Sequence, residues 1–238
     1  MSRYVLVTGG AQGLGRAICS ALAKEKHNLV IHYRHSLQEA ETLQKQLSQY
    51  PIQVETIFGD FSTIESTRTF LEEYQNRFAE TKGLINNVGN YSLGHPLSIS
   101  PEEMRDLFQI NVTSALMCAQ ALTLSLKRSQ GHIINIGMAG SDHVLANTHA
   151  SLYNMTKTAL SMLTKSLAKE LAPFQVCVNM VSPGYLENSI DLPKQISDIP
   201  WGRAGQLKEV AELICFLISD QQRYITGQNI AIAGGVRI

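Results

Sequence analysis

The stretch from Val5 to Gly15 reads VLVTGGAQGLG, an apolar strand-like run that passes through a glycine-rich turn into a helical pattern. Gly9, Gly13 and Gly15 permit a tight turn and let the backbone approach a bound group without a Cβ in the way. The N-terminus of the following helix offers unpaired N–H groups and a positive dipole potential, both of which suit a pyrophosphate. The place of this turn, after the first strand and before a helix, favours a nucleotide-binding loop over an ordinary tight connection.

The same alternation of apolar runs and amphipathic stretches continues along the whole chain. The predicted strands are Tyr4–Thr8, Leu29–Tyr33, Gln53–Phe58, Gly83–Asn86, His132–Ile136, Gln175–Val181 and Asn229–Ile232. The predicted helices are Leu14–Lys26, Leu37–Gln49, Ile64–Phe78, Glu102–Leu126, Leu152–Leu171 and Leu207–Ser219. Most strands are continuously apolar, as expected of parallel strands that helices cover on both faces. The sequence therefore predicts the α/β class, a doubly wound parallel sheet (Rossmann fold) of about seven strands, in one domain over residues 1–238.

The composition excludes several classes of partner. The 238 residues include 20 Lys+Arg and 20 Asp+Glu, which gives a formal net charge of zero. A protein that binds nucleic acid or an anionic membrane would show a basic excess. No apolar run reaches the ~18 residues of a membrane-spanning helix. A strand-like run begins directly after Arg3, which leaves no room for a signal peptide. We therefore expect a cytoplasmic protein that acts on a small molecule and binds neither nucleic acid nor membrane.

No metal site is predicted. The four cysteines stand singly among apolar neighbours, which favours reduced core residues over disulfides or metal ligands. They are Cys19, Cys118, Cys177 and Cys215. His132, His143 and His149 do not have a metal-binding spacing, although the last two lie in a long loop from which they are able to touch substrate.

The end of the second predicted strand indicates which dinucleotide the loop binds. It reads HYRHS over residues 32–36. An NAD-preferring site usually carries an acidic residue about twenty positions past the glycines, on the ribose 2′-hydroxyl. Arg34 takes that place, and its guanidinium, with His35 and Ser36 beside it, suits a 2′-phosphate. This favours NADP(H) over NAD(H). The alternative is that Arg34 is a solvated surface arginine. Gln12 counts against the NADP(H) interpretation, because a basic residue at that position would have strengthened it.

Tyr153 and Lys157 lie four residues apart at the start of a long predicted helix, so they share one helix face. An ammonium beside a phenol lowers the phenol's pKa from ~10 toward the working pH, which makes a usable general acid/base. A Tyr-x-x-x-Lys string alone is usually structural. In this chain the catalytic interpretation of the pair is supported by the motifs that accompany it.

Together these motifs resemble the short-chain dehydrogenase/reductase family, in its compact single-domain branch. The matching segments are TGGAQGLG (8–15), GDF (59–61), NNVG (86–89), Asn111, NMVSPG (179–184), YITGQ (224–228) and Gly234-Gly235. The chain departs from the family pattern at Val88, where alanine is usual, and at Ala233, where aspartate is usual. The resemblance implies that the cofactor contacts Thr8, Gly9, Gly13, Leu14, Gly15, Arg34, His35, Ser36, Asp60, Phe61, Asn87, Gly89, Tyr153, Lys157, Pro183, Gly184 and Leu186.

The activity that the resemblance implies is hydride transfer between a nicotinamide and a carbonyl or imine carbon. In that interpretation Tyr153 gives the proton to the developing oxyanion. Lys157 lowers the tyrosine pKa and holds the nicotinamide ribose, and Asn111 holds a water that links the lysine to solvent. The cofactor supplies the difficult chemistry, and the protein supplies position and electrostatics.

A third departure from the family pattern concerns a catalytic position. The family carries a serine after strand five that hydrogen-bonds the reacting oxygen, but alignment on the strand puts Met138 there and counting back from the tyrosine puts Gly140 there. Neither side chain donates a hydrogen bond, and losing one such donor typically costs ~10²–10³ in rate. Three readings stay open: Ser141 or Asp142 substitutes for it, the substrate does not need it, or the chain is a catalytically impaired NADP(H)-binding sensor or scaffold.

Two substrate classes stay open. A dihydropteridine-like ring is one, because pteridine reductase-like members put an aspartate in the serine position. A 3-oxoacyl compound is the other, because 3-oxoacyl-carrier-protein reductases resemble this chain in length and core motifs. Those enzymes need a basic surface at the entrance of the active site, because their carrier protein is acidic. Ser129 and Phe174 occupy positions where such reductases tend to have arginines, which counts against this substrate class. Lys127 and Arg128 are basic residues nearby that keep it open.

The predicted helices Glu102–Leu126 and Leu152–Leu171 are apolar over more than one stripe. Such breadth indicates burial against a second subunit as well as the sheet. We therefore expect a homodimer or homotetramer, with deep packing inside one chain as the alternative.

Overall fold

The computed structural model describes residues 3–143 and 146–236. Its strands are β1 (Tyr4–Val7), β2 (Asn28–Tyr33), β3 (Val54–Phe58), β4 (Thr81–Asn86), β5 (His132–Ile136), β6 (Cys177–Pro183) and β7 (Asn229–Ile232). They form one parallel sheet in the order β3-β2-β1-β4-β5-β6-β7. The order reverses between β1 and β4, and ligands of such sheets bind beyond the strands' carboxyl ends at that point. The predicted seven-stranded α/β fold is confirmed.

Helices cover the sheet on both faces. They are α1 (Gly13–Lys24), α2 (Leu37–Leu47), α3 (Ile64–Arg77), α4 (Pro101–Phe108), α5 (Ser114–Ser129), α6 (Ser151–Leu171) and α7 (Leu207–Ile218). One apolar core packs under α1, α2 and α7, and a second packs under α3, α5 and α6. Within β1, Val5 and Val7 enter the first core while Leu6 enters the second. The strands read as continuous apolar runs because both of their faces are buried.

The largest correction to the predicted elements concerns the helix expected over Glu102–Leu126. The chain is helical from Pro101 to Ser129, but a π-helical turn, Gln109–Thr113, separates α4 from α5. Such a turn inserts one residue into the helix and is frequent at functional sites. The apolar periodicity does not reveal it, because residues on either side keep a helical spacing.

The other differences lie at element ends. β6 begins at Cys177, not at Gln175, because Gln175 has a left-handed backbone (φ 59°) that a strand does not accommodate. α1 ends at Lys24, before Lys26, whose φ of 63° ends the helix. Short 3₁₀ turns that no sequence signal predicted occur at Pro96–Ser98, Ala172–Phe174 and Ile196–Asp198.

The stretch Pro101–Ser129 is long and apolar enough, by length and composition, to cross a membrane, contrary to the sequence expectation. Core helices of soluble proteins meet the same criteria. Here Cys118, Leu122 and Leu126 of α5 are buried in the second core beneath the sheet. We therefore interpret the stretch as a core helix.

The four cysteines are free thiols, three of them buried and Cys215 partly so. Within residues 3–143 and 146–236, no group of three His, Cys, Asp or Glu side chains is arranged to hold a metal ion.

Two buried histidines are held in the neutral form. Desolvation lowers the pKa of both His32, in β2, and His132, in β5, to about 4. Nδ1 of His32 accepts the Gly9 N–H at 2.9 Å, so the ring proton is on Nε2, which lies 3.2 Å from the Gly59 carbonyl oxygen. A second proton on His32 would break the bond to Gly9. Neither ring nitrogen of His132 has a hydrogen-bond partner among the described residues.

We expect stability to fall as the pH drops from about 6.5 toward 4. Over that interval the unfolded chain binds protons at both positions while the native protein does not, so the free energy of unfolding decreases by up to ~1.4 kcal/mol per pH unit for each histidine. Urea unfolding of the wild type and of His32→Gln across this range measures the slope. Glutamine keeps one acceptor and one donor but does not titrate, so its slope should be shallower. Equal slopes would contradict the account of His32.

Candidate functional site

Thr8, the first residue after β1, connects β1 to the end of β4. Its hydroxyl accepts the backbone N–H groups of Asn87 (2.9 Å) and Val88 (3.1 Å) and donates to the Ile85 carbonyl oxygen (3.2 Å). The Asn87 amide in turn donates to the carbonyl oxygens of Thr8 (2.9 Å) and Gly9 (3.1 Å). The glycine-rich loop therefore starts from a position that two strands determine together.

The predicted glycines occupy positions that other residues fit poorly. Gly9 and Gly13 have left-handed backbones, with φ of 62° and 51°. A Cβ on Gly15 would overlap the Gly9 carbonyl oxygen and crowd the Asn87 amide. The first turn of α1 thus lies directly against the loop.

The first turn of α1 is suited to an anion. The residue before it, Gln12, makes no side-chain capping hydrogen bond, and the turn itself carries no acidic residue. The first N–H groups of a helix have no partner inside the helix, and the dipole makes that end positive. This cradle fits the pyrophosphate of a dinucleotide, which the N–H groups of residues 13–15 would hold.

We expect Gly15→Ala to weaken NADPH binding at least tenfold and to lower the melting temperature, because the new methyl group must displace the loop. NADPH titration followed by fluorescence and a thermal melt measure the two effects. Gly94→Ala is the matched control, since a Cβ there meets no atom nearer than 3.9 Å. Undiminished NADPH affinity in Gly15→Ala would show that the loop does not hold the cofactor.

At the end of β2, Arg34 and His35 are exposed, and the Ser36 hydroxyl makes no capping bond to α2. Arg34 Nε lies 3.0 Å from Asp60 Oδ1, which brings two of the predicted cofactor residues together. Desolvation raises the pKa of Asp60, but hydrogen bonds from Ser62 and the Arg34 charge outweigh it and hold the pKa below its usual value. This pair borders the place where the adenosine end of a dinucleotide would lie.

Phe61, predicted to contact the cofactor, is buried. Its ring stacks on His32, with centroids 4.5 Å apart and an angle of 6° between the planes. His32 then reaches Gly9, so Phe61 supports the loop from the core side.

Tyr153 and Lys157 lie on α6, one turn apart, as predicted. Lys157 is buried, its Nζ donates to the Ile136 carbonyl oxygen at the end of β5 (2.8 Å), and it lies 5.5 Å from the centroid of the Tyr153 ring. Desolvation lowers the pKa of Lys157 to about 8. The Tyr153 ring is half-buried and meets Tyr91 edge-on, with centroids 4.7 Å apart. An ammonium is thereby held against a phenol at the edge of a cleft.

Asn111 is in the π-helical turn and is buried. Its Oδ1 accepts the Asn90 N–H (2.8 Å), and its Nδ2 donates to the Asn90 carbonyl oxygen and to the Thr156 hydroxyl (both 3.0 Å). A Cβ on Gly89 would lie 3.3 Å from Lys157 Nζ and 3.5 Å from Asn111 Oδ1. Glycine at this position keeps a side chain away from both groups, and the water that the family resemblance implies at Asn111 remains a prediction.

A cleft of about 360 Å³ opens at the carboxyl ends of β5 and β6. Tyr153 forms part of its wall, as do four other residues predicted to contact the cofactor: Leu14, Pro183, Gly184 and Leu186.

The segment after β5 forms another part of the wall, but it presents no hydroxyl there. Met138 lines the cleft, whereas Gly140 lies in a left-handed turn (φ 79°) and does not. Ser141 is wholly buried, and its hydroxyl has no hydrogen-bond partner in the part of the chain that the structure describes. Asp142 is on the surface, 3.8 Å from His143. The structure does not bring Ser141 or Asp142 to the cleft wall, and their catalytic roles remain predictions.

Sequence reasoning missed three residues at or near the cleft. Tyr91 lines it and donates to Asp191 Oδ2 at 2.9 Å, which connects the segment after β4 with the loop after β6. Asn147 also lines it. His32 supports the glycine loop from below. For His32, the clue in the sequence was a polar residue inside an otherwise apolar strand.

Fold and site together define a dinucleotide-binding Rossmann protein with a tyrosine–lysine pair at the edge of its cleft. The family model described as Enoyl-(Acyl carrier protein) reductase matches residues 9–237. A 3-oxoacyl-[acyl-carrier-protein] reductase of Staphylococcus aureus is 30% identical over 244 residues, which cover 99% of this chain and 98% of that enzyme.

Solved structures agree with this match. Acetoin dehydrogenase from Enterobacter cloacae superposes with a TM-score of 0.89 at 28% identity, over 99% of this chain and 95% of that one. A blue fluorescent protein from a metagenomic library, in complex with NADPH, superposes with a TM-score of 0.91 at 25% identity, over 99% and 98% of the two chains. The chain belongs to the short-chain dehydrogenase/reductase family and is an NAD(P)-dependent oxidoreductase.

Proposed function

We propose that the protein is an NADPH-dependent reductase that transfers a hydride to the carbonyl or imine carbon of a small substrate, with Tyr153 as proton donor. The observation that carries the proposal is the position of Lys157. Its ammonium is buried, bonded to the Ile136 carbonyl oxygen at 2.8 Å and directed at the ring of Tyr153, which lines the cleft. Burying a lysine charge is costly, so its placement beside a phenol favours a role in proton transfer.

In the proposed reaction the cofactor and the residues around it have separate roles. NADPH, when bound, supplies the hydride. Tyr153 donates its hydroxyl proton to the oxygen, or the nitrogen, on which negative charge develops. Lys157 stabilises the phenolate that remains, through the charge that it holds within 5.5 Å of the ring. A water held by Asn111 near Lys157, where Gly89 carries no side chain, would return the proton to the tyrosine.

The lining of the cleft supports a small substrate without a net negative charge. Its described walls carry the carboxylate of Asp191 and no lysine or arginine. The S. aureus relative is named for 3-oxoacyl substrates and the E. cloacae neighbour for acetoin, and both names denote compounds with a carbonyl group. A 3-oxoacyl compound and a dihydropteridine-like ring are the two substrate classes that we propose.

Within the 3-oxoacyl class, an acyl group attached to a carrier protein is the less favoured substrate. The basic residues that left it open already have partners inside the chain. Lys127 Nζ lies 3.5 Å from the centre of the Phe174 ring, and Arg128 pairs with Glu80 at 3.0 Å. We therefore favour free small-molecule substrates.

We expect the wild type to oxidise NADPH with at least one of diacetyl, an acetoacetyl thioester and a quinonoid dihydropteridine, and Tyr153→Phe to lower kcat by ~10²–10⁴ because the proton donor is lost. Absorbance of NADPH measures both. Tyr224→Phe, which alters a fully exposed tyrosine, is the matched control. Tight NADPH binding without turnover on any of the three, unchanged by Tyr153→Phe, would favour the sensor or scaffold alternative and overturn the enzyme proposal.

The preference for NADPH depends on Arg34. We expect Arg34→Leu to raise the Kd for NADPH by ~10–100-fold, since hydrogen bonds to charged groups contribute about 1.5–3 kcal/mol, and to leave the Kd for NADH nearly unchanged. Titration with both cofactors measures the difference. Arg68→Leu, which removes an exposed arginine paired with Glu65 on α3, is the control. A wild type that prefers NADH, or a variant that loses both cofactors equally, would contradict the assignment.

We also propose a single-domain, cytoplasmic protein that forms a homodimer or homotetramer. Exposed apolar side chains on the expected subunit-facing helices support the assembly: Leu124 of α5 is 71% exposed and Met162 of α6 is 68% exposed. Covering them would remove apolar surface from water.

A further inference from the structure

We propose that the side-chain amide of Asn147 donates the hydrogen bond that holds the reacting oxygen of the substrate, at a site where the chain lacks the usual hydroxyl. The inference rests on the proposed function and names a hydrogen-bond donor on the wall of the cleft that Tyr153 also lines.

The orientation of the Asn147 amide follows from its partners. One end of the amide meets the backbone N–H groups of His149 (3.0 Å) and Ala150 (2.8 Å). Backbone N–H groups only donate, so the atom that they meet must be the oxygen, Oδ1. The NH₂ group therefore faces away from this turn. Among the described residues Nδ2 has no hydrogen-bond partner, although Asn147 is half-buried.

The position of Asn147 relates it to Tyr153. Both side chains line the same cleft, together with Met138, Ala139 and Ala150. The two N–H groups that Asn147 accepts lie immediately before Ser151, where α6 begins, and Tyr153 is in the first turn of that helix. A short hydrogen-bonded turn thus connects the amide donor to the proton donor.

The chemistry favours this amide over the two residues first expected to replace the serine. Ser141 is buried away from the cleft wall, and Asp142 is a surface carboxylate. An ionised carboxylate accepts hydrogen bonds and repels a developing oxyanion, whereas a neutral amide donates at any pH. A preoriented donor of this kind is worth most when charge accumulates on the oxygen, so its loss should lower kcat more than it raises KM.

Three variants test the inference, with the best of the substrates named above. Asn147→Ala removes the acceptor and the donor, and Asn147→Asp keeps an acceptor for the two backbone N–H groups but removes the donor. We expect both to lower kcat by ~10²–10³, while Asn147→Asp keeps the melting temperature closer to that of the wild type. Met138→Ser in the Asn147→Ala background places a hydroxyl on the cleft wall and should restore kcat at least tenfold. A residue with only a structural role would not show this rescue.

The outcomes separate the two proposals. A wild type that turns over substrate while both Asn147 variants keep kcat within threefold overturns the role of Asn147 and leaves the proposed function intact. If both variants lose kcat and Met138→Ser does not restore it, the role of Asn147 as a donor is also overturned, because the loss then comes from the altered turn before α6. A wild type that oxidises NADPH with none of the substrates overturns the proposed function, and the role of Asn147 falls with it.

Discussion

The hydroxyl of Thr8 makes the interaction on which the site depends. It accepts the N–H of Asn87 and donates to the Ile85 carbonyl oxygen, so it joins the ends of β1 and β4 at the point where the strand order reverses. The Asn87 amide then fixes the Gly9 carbonyl oxygen, against which only a glycine at position 15 fits. Short hydrogen bonds between neutral groups therefore determine where the positive end of α1 lies, and no cluster of basic side chains is needed to form the anion site.

The features that the sequence predicts well are those decided by neighbours in the chain. The strand–glycine–helix run and the spacing of Tyr153 and Lys157 are local, and the parallel sheet follows from strands that are apolar on both faces. The role of His32 is not predictable in this way, because its partners Gly9 and Gly59 come from two separate loops. The π-helical turn around Asn111 is not visible in the spacing of apolar residues either. The turn changes the direction of one polar side chain, that of Asn111, which bonds to Asn90 and Thr156.

The formal net charge of zero agrees with a site that contains few basic residues. The two basic residues to which we assign roles stand apart from each other: Arg34 lies against Asp60 after β2, and Lys157 is buried beside Tyr153. Desolvation lowers the pKa of that lysine to about 8 and strengthens its effect on the neighbouring phenol. The cleft itself is lined largely by apolar and neutral polar groups, and we propose that the reacting oxygen depends on hydrogen bonds from Tyr153 and Asn147.

The central claim is that the cleft binds NADPH with its nicotinamide beside Tyr153. A crystal structure of the protein with NADPH tests it most directly. We expect the pyrophosphate on the N–H groups of residues 13–15, the 2′-phosphate within hydrogen-bond distance of Arg34, and the nicotinamide between Tyr153 and Pro183. NADPH bound at another surface, or in this cleft with its nicotinamide turned away from Tyr153, would contradict it.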